Sequence, residues 1–130
     1  MIRCEYIHEG EFECEAGGSV SALKVVYHRS EREWRSGDDR KVIWICHALT
    51  ANSDAEDWWP ELVGPGKLFD TEKYFVVCAN MLGSAYGSSG PATENPATGQ
   101  PYYFDFPAIT VRDIVRANDL VRRHLGIEYI

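Results

Sequence analysis

Two short apolar runs constrain this chain more than any other feature. Val42-Ile43-Trp44-Ile45-Cys46 and Tyr74-Phe75-Val76-Val77-Cys78-Ala79 contain no charged residue. Runs of this length, rich in β-branched and aromatic side chains, read as strands buried on both faces, the pattern of a parallel sheet. Between them lie Asp57, Trp58, Trp59, Leu62 and Val63, stopped by Gly64-Pro65-Gly66. That is enough chain for a crossover, so a βαβ unit within an α/β fold is the economical reading.

The flanking segments fit around this unit. Glu11 to Glu15 alternates charge with Phe12 and Cys14, as a short edge strand does, and Gly17-Gly18 makes a turn. Ala22 to His28 has the composition of a second strand. Ser30 to Arg40 is charged and reads as a surface loop. Asn80 to Pro107 is rich in Gly, Ser, Pro and Asn, yet it carries Tyr86, Tyr102, Tyr103, Phe104 and Phe106, which pack rather than wander. An ordered loop that helps wall a site is expected there.

Thr110-Val111-Arg112-Asp113 is a capping box opening a helix. Its apolar stripe is Ile114, Val121 and Leu125, flanked by Val115 and Ala117, and Gly126 ends it. Ile127 to Ile130 reads as the beginning of a further strand. The pattern predicts a chain that stops partway through an α/β domain, with residues 1–130 forming the N-terminal part of that single domain.

Charge and cysteine usage narrow the function. Thirteen basic residues against twenty acidic ones leave a net charge of −7, which excludes a general nucleic-acid-binding surface. Arg112, Arg116, Arg122 and Arg123 alternate with Asp113 and Asp119 and read as a solvated helix face. Cys4, Cys14, Cys46 and Cys78 form no C-x-x-C pair and suit no common zinc framework, so no metal site is expected. Cys46 and Cys78 end apolar runs, where a buried thiol acts as a small hydrophobe. No membrane segment or secretory signal is read from the sequence, and a cytoplasmic protein is expected.

Complete catalytic motifs are missing. Gly83-Ser84-Ala85-Tyr86-Gly87 and Gly87-Ser88-Ser89-Gly90 do not match the G-x-S-x-G nucleophile elbow, and no phosphate-binding or H-E-x-x-H signature occurs. Ser88 and Ser89 read as turn formers. The informative stretch is Cys46-His47-Ala48-Leu49-Thr50, directly after a buried strand. In α/β hydrolases the loop after the third strand supplies a backbone amide to the oxyanion hole. His47 would brace such a loop rather than move protons; on the pentapeptide alone, a histidine that simply ends a strand fits as well. Trp58 and Trp59 read as packing residues or a pocket wall, Asn80 as a site residue or a turn cap, and Asp113 as a helix cap.

The wider pattern adds to this. His47-Ala48-Leu49-Thr50, Trp58-Trp59, Gly64-Pro65-Gly66-Lys67 and Asp70-Thr71-Glu72-Lys73-Tyr74-Phe75-Val76 occur in order. Asn80-Met81-Leu82-Gly83, Gly87-Ser88-Ser89-Gly90-Pro91, Asn95-Pro96-Ala97-Thr98-Gly99 and Asp105-Phe106-Pro107-Ala108-Ile109-Thr110-Val111-Arg112-Asp113 follow. From about Glu11 to Ile130 the chain resembles the N-terminal portion of the homoserine O-acetyltransferase family, α/β-hydrolase-fold acyltransferases of methionine biosynthesis.

The resemblance implies a fold in which antiparallel edge strands lead into a parallel sheet with crossover helices, truncated before the nucleophile-elbow strand. It implies acyl transfer from acetyl-CoA or succinyl-CoA, as co-substrate, to the hydroxyl of homoserine through an acyl-serine. Leu49 matches the first oxyanion donor, through its backbone N–H. The family's catalytic Ser, Asp and His lie downstream of the position matching Ile130, so His8, His28, His47 and His124 are not assigned those roles, and the 130 residues alone are expected to be inactive. Ala51 stands where the family commonly has Gly. The partners implied are small-molecule substrates and the missing C-terminal part of the domain, with a homodimer allowed and no bound cofactor. Two other readings stay open, a serine hydrolase of the same fold and a non-catalytic half of a split enzyme.

Overall fold

The computed structural model describes residues 1–35 and 37–130. Its centre is a four-stranded sheet built from β1 (Ile2–Ile7), β4 (Lys24–Arg29), β5 (Val42–Ile45) and β6 (Phe75–Ala79), in the order β1-β4-β6-β5. β1 and β4 are antiparallel, β4 and β6 are antiparallel, and β5 and β6 run parallel with Val42 opposite Phe75. The parallel pair and the crossover therefore stand as the apolar runs require. Around the sheet lie the ribbon of β2 (Glu11–Glu13) and β3 (Ser19–Ser21), the single turn α1 (Ala55–Trp58), the two-residue pair β7 (Glu94–Asn95) and β8 (Gln100–Pro101), a 3-10 turn (Tyr103–Asp105), and α2 (Val111–His124).

Position in the sheet decides which apolar run is fully covered. β6, with a neighbour on each side, buries all five of its residues. β5 has β6 on one edge only, and Val42, Ile43 and Trp44 are half-buried, so the expectation of burial on both faces holds for β6 and not for β5. Cys46, one residue past β5, is exposed and is not the buried hydrophobe its run suggested, whereas Cys78 is fully buried and burial pushes its thiol up to about 12. β1 carries no unbroken apolar run, because Arg3 and Glu5 interrupt its apolar residues. It pairs along its whole length with β4, from Ile2 against Arg29 to Ile7 against Lys24.

β4 outruns β6, and the excess backbone needs other partners, since buried amides and carbonyls are costly when unpaired. The chain after β6 returns and supplies them. Ser88 Oγ accepts from Val26 N at 3.0 Å, Ser89 Oγ accepts from Lys24 N at 2.8 Å, and Ser89 N donates to Lys24 O. Ser88 and Ser89 thus lie in a bend and are buried there, where their hydroxyls also stand in for a missing strand. Gly87 makes this close return feasible: its φ is +99°, and a Cβ there would sit 2.9 Å from Val26 Cγ2.

Two further expectations shift. The charged loop from Ser30 contains a docked element, not a free surface: Arg40 is buried beside the rings of Trp34 and Phe75 and hydrogen-bonds Asp38, whose carboxyl it holds well below the usual range. In α2 the residues that bury are Asp113, Ala117 and Val121, while Ile114 and Leu125 are only partly covered. The capping box is present as read, and Gly126 follows with φ +69°. Ile127 to Ile130 forms no strand, although Ile127 is buried. No helix is long and apolar enough to cross a membrane among the described residues.

Candidate active-site loop

The chain leaves β5 into an irregular loop, His47 to Asp54, before α1 begins. Its first residue is buried and doubly engaged. Met81 N donates to His47 Nε2 at 3.1 Å, so the ring proton sits on Nδ1, which lies 2.8 Å from Ala48 O. Both ring nitrogens of the neutral imidazole are used, and neither is available for proton transfer. His47 joins the loop after β5 to the residue that follows Asn80 beyond β6.

The other end of the loop is fixed by Asn80, which is 2% exposed. Its Oδ1 accepts from Ser53 N at 2.7 Å and its Nδ2 donates to Tyr86 O at 2.9 Å. Its backbone is also occupied, N donating to Val26 O and O accepting from Ser88 Oγ. Ser53 is itself buried, with Oγ 2.8 Å from His28 Nδ1. Burial pushes the His28 imidazole down, with Asp54 acting against it. Ser53 is thus a sealed link between β4 and the loop, closed to any substrate.

Between these anchors Leu49 projects into solvent, 94% exposed. Ala51 N donates to Ala48 O at 3.0 Å, closing a turn with Leu49 and Thr50 at its tip. Among the described residues no group accepts the Leu49 N–H. Ala51 lies outside the left-handed region, so this backbone does not demand the glycine common at that position. Tyr86 Oη donates to Thr50 O at 3.3 Å, which ties the loop after β6 to the same turn.

The neighbouring groups sort into structure and surface. Trp58 and Trp59 pack ring against ring at 4.8 Å, Trp59 stacks on Phe69, and Trp58 Nε1 donates to Asn52 O, so the pair buttresses the loop from α1. Asp113 caps α2. Arg112, Arg116, Arg122 and Arg123 are paired with Glu15, Asp113 and Asp119. Beside the loop, an apolar hollow of about 520 Å³ lies between the β5–β6 ends and α2, lined by Trp44, Cys46, Ala79, Met81, Ile114 and Val115 among others. Sequence reasoning missed the roles of Ser53 and Tyr86 and left Asn80 open. A polar residue closing an otherwise apolar run was the one signal available.

An antiparallel β1-β4 edge feeding a parallel pair, with an open-ended turn after β5, defines an α/β-hydrolase-type sheet. Solved structures agree. Homoserine O-acetyltransferase from Bacillus anthracis superposes with a TM-score of 0.82 at 30% identity, over 99% of this chain and 38% of that one. Esterase E22 does so with a TM-score of 0.80 at 28% identity, over 99% and 39%. In sequence, the chain is 46% identical over 127 residues to homoserine O-acetyltransferase of Chlorobium chlorochromatii, covering 96% of this chain and 34% of the relative. It is 56% identical over 89 residues to that of Cyclobacterium marinum, covering 68% and 25%. No family model matches. The chain belongs to the homoserine O-acetyltransferase family, matching its N-terminal part, and spans about a third of the length of the curated relatives it matches.

Proposed function

We propose that residues 1–130 act as the N-terminal part of a single α/β-hydrolase domain that transfers an acetyl group from acetyl-CoA to the hydroxyl of homoserine, a step of methionine biosynthesis in the cytoplasm. The observation that carries this reading is the 46% identity along nearly the whole chain to a homoserine O-acetyltransferase. In such a reaction a serine oxygen attacks the thioester carbonyl, the C–S bond breaks, and coenzyme A leaves with a proton from a histidine. The homoserine hydroxyl then displaces the serine. Each half passes through a tetrahedral oxyanion, and a preorganised N–H aimed at it lowers both barriers.

Leu49 is the residue we assign to that donation, through its free N–H at the tip of a turn held from both sides. The nucleophile, acid and base are assigned to chain beyond these residues: both ring nitrogens of His47 are committed, His28 has its Nδ1 on Ser53 Oγ, and Ser53 is sealed. The apolar hollow between β5 and α2, together with the unpaired edge of β5, suits coverage by the remainder of the same domain. The 130 residues alone are therefore inactive in this reading.

The likeness to esterase E22 favours one second reading, in which water replaces homoserine as acceptor. Coenzyme A release from acetyl-CoA by the full-length protein separates the two. Release that requires homoserine and yields O-acetylhomoserine supports transfer. Release that proceeds equally without an amino acid supports hydrolysis.

A further inference from the structure

We infer that Asn80 is a positioning residue for acyl transfer, holding the far side of the Leu49 turn through Ser53 and Tyr86; the inference rests on the acyltransferase reading above. The primary amide is suited to this. Oδ1 holds the far end of the loop through Ser53 N, and Nδ2 holds Tyr86 O, while the Tyr86 hydroxyl reaches back to Thr50 O. The near end is held by His47, whose Nε2 takes the N–H of Met81, the next residue after Asn80. Leu49 therefore sits between two contacts, one through Ala48 and His47 and one through Thr50 and Tyr86. Both return to Asn80 and Met81, the two residues that follow β6.

Burial makes Asn80 hard to replace. At 2% exposure the side chain has little contact with the water that would otherwise satisfy its partners. An isosteric Asp offers only acceptors, so it would face the Tyr86 carbonyl oxygen with a second acceptor, and a Leu would abandon both the Ser53 amide and that carbonyl. Neither loss touches a reacting atom. Each frees the turn to tilt, and a misplacement near 1 Å costs on the order of 10²-fold in rate.

The test uses the full-length enzyme carrying Asn80→Asp, Asn80→Leu or Tyr86→Phe. Active sites are titrated with p-nitrophenyl acetate, and turnover per titrated site is measured with acetyl-CoA and homoserine. Tyr86→Phe changes a largely exposed side chain and guards against a folding failure of the Asn80 variants. Expected are a fall of about 30- to 100-fold in kcat per titrated site for the Asn80 variants and about 3- to 10-fold for Tyr86→Phe, with KM for acetyl-CoA within about threefold. Amide hydrogen exchange at Ala51, whose bond closes the turn, should quicken at least about tenfold in the Asn80 variants.

A purely structural Asn80 would lower the titrated fraction and leave kcat per site and Ala51 exchange unchanged, which overturns the inference. If acylation by p-nitrophenyl acetate per titrated site slows about 30- to 100-fold in the Asn80 variants but homoserine proves not to be the acceptor, the positioning role stands and the homoserine reading fails. If the wild-type enzyme is acylated by neither substrate, acyl transfer fails as a reading and the positioning role for it is overturned, whatever Ala51 exchange does.

Discussion

Replacing Asp113 by Asn should destabilise the protein by about 2–3 kcal/mol, although the two side chains have the same shape. Asp113 is fully buried, and its oxygens take the Glu15 amide at 3.0 Å, the Thr110 amide at 3.0 Å and the Arg116 guanidinium at 3.2 Å. The carboxylate thus closes the start of α2 and also clamps it to the chain after β2. Asn offers one acceptor, so its NH₂ must face either the Thr110 or the Glu15 N–H, donor against donor. One buried amide left unpaired costs about 1–3 kcal/mol. A neutral acceptor in place of the carboxylate weakens the bonds that remain by about 1 kcal/mol, and relief from burying a charge offsets part of the sum. Urea unfolding followed by tryptophan fluorescence measures it, with the midpoint falling and the slope unchanged. A loss below about 0.5 kcal/mol would refute the reasoning.

The same site carries a pH signature. Burial works against the charge on Asp113, but the Thr110 and Glu15 amides, the Thr110 hydroxyl and Arg116 outweigh it and hold its carboxyl below the usual range. A folded-state value below the unfolded one means the unfolded chain binds more protons in acid. The stabilisation is complete above the unfolded carboxylate value of about 3.9 and disappears as pH falls through the lower folded value. Asp113→Asn should therefore flatten the acid limb of a stability–pH curve as well as lower its plateau.

Two backbone substitutions should act in opposite directions. Gly87→Ala combines a φ of +99° with a contact of 2.9 Å against Val26 and should cost about 2–4 kcal/mol, read by thermal unfolding. Ala22→Gly relieves a φ of +49° at an exposed turn and should stabilise by about 0.5 kcal/mol, after the greater freedom of an unfolded glycine is subtracted.

What could be read from residue types alone follows from how local each determinant is. The β5–β6 pair and the α2 cap declare themselves within a few residues, through an unbroken apolar run and a Thr-x-x-Asp pattern. β1 hides because its outward Arg3 and Glu5 break the run. Serine beside glycine signals the bend at Ser88 and Ser89, but only the unpaired stretch of β4 makes them strand surrogates as well. Arg40 was assigned to solvent by its charge, yet Trp34, Phe75 and Asp38 together make a buried seat for it. At the candidate site, the placement of His47 directly after an apolar run marked the loop. Asn80, Ser53 and Tyr86 join it across long sequence separations, and no local pattern encodes such partners.

The central proposal is that these residues supply an oxyanion-hole loop while the groups that attack and carry protons come from elsewhere in the protein. The direct measurement is coenzyme A release from acetyl-CoA in the presence of homoserine, by the 130-residue chain and by the full-length protein side by side. The account predicts no release above buffer from the chain and homoserine-dependent release from the full-length protein, abolished when the nucleophilic serine proposed to lie downstream becomes alanine. Turnover by the 130 residues alone, or release by the full-length protein that survives loss of that serine, would contradict it.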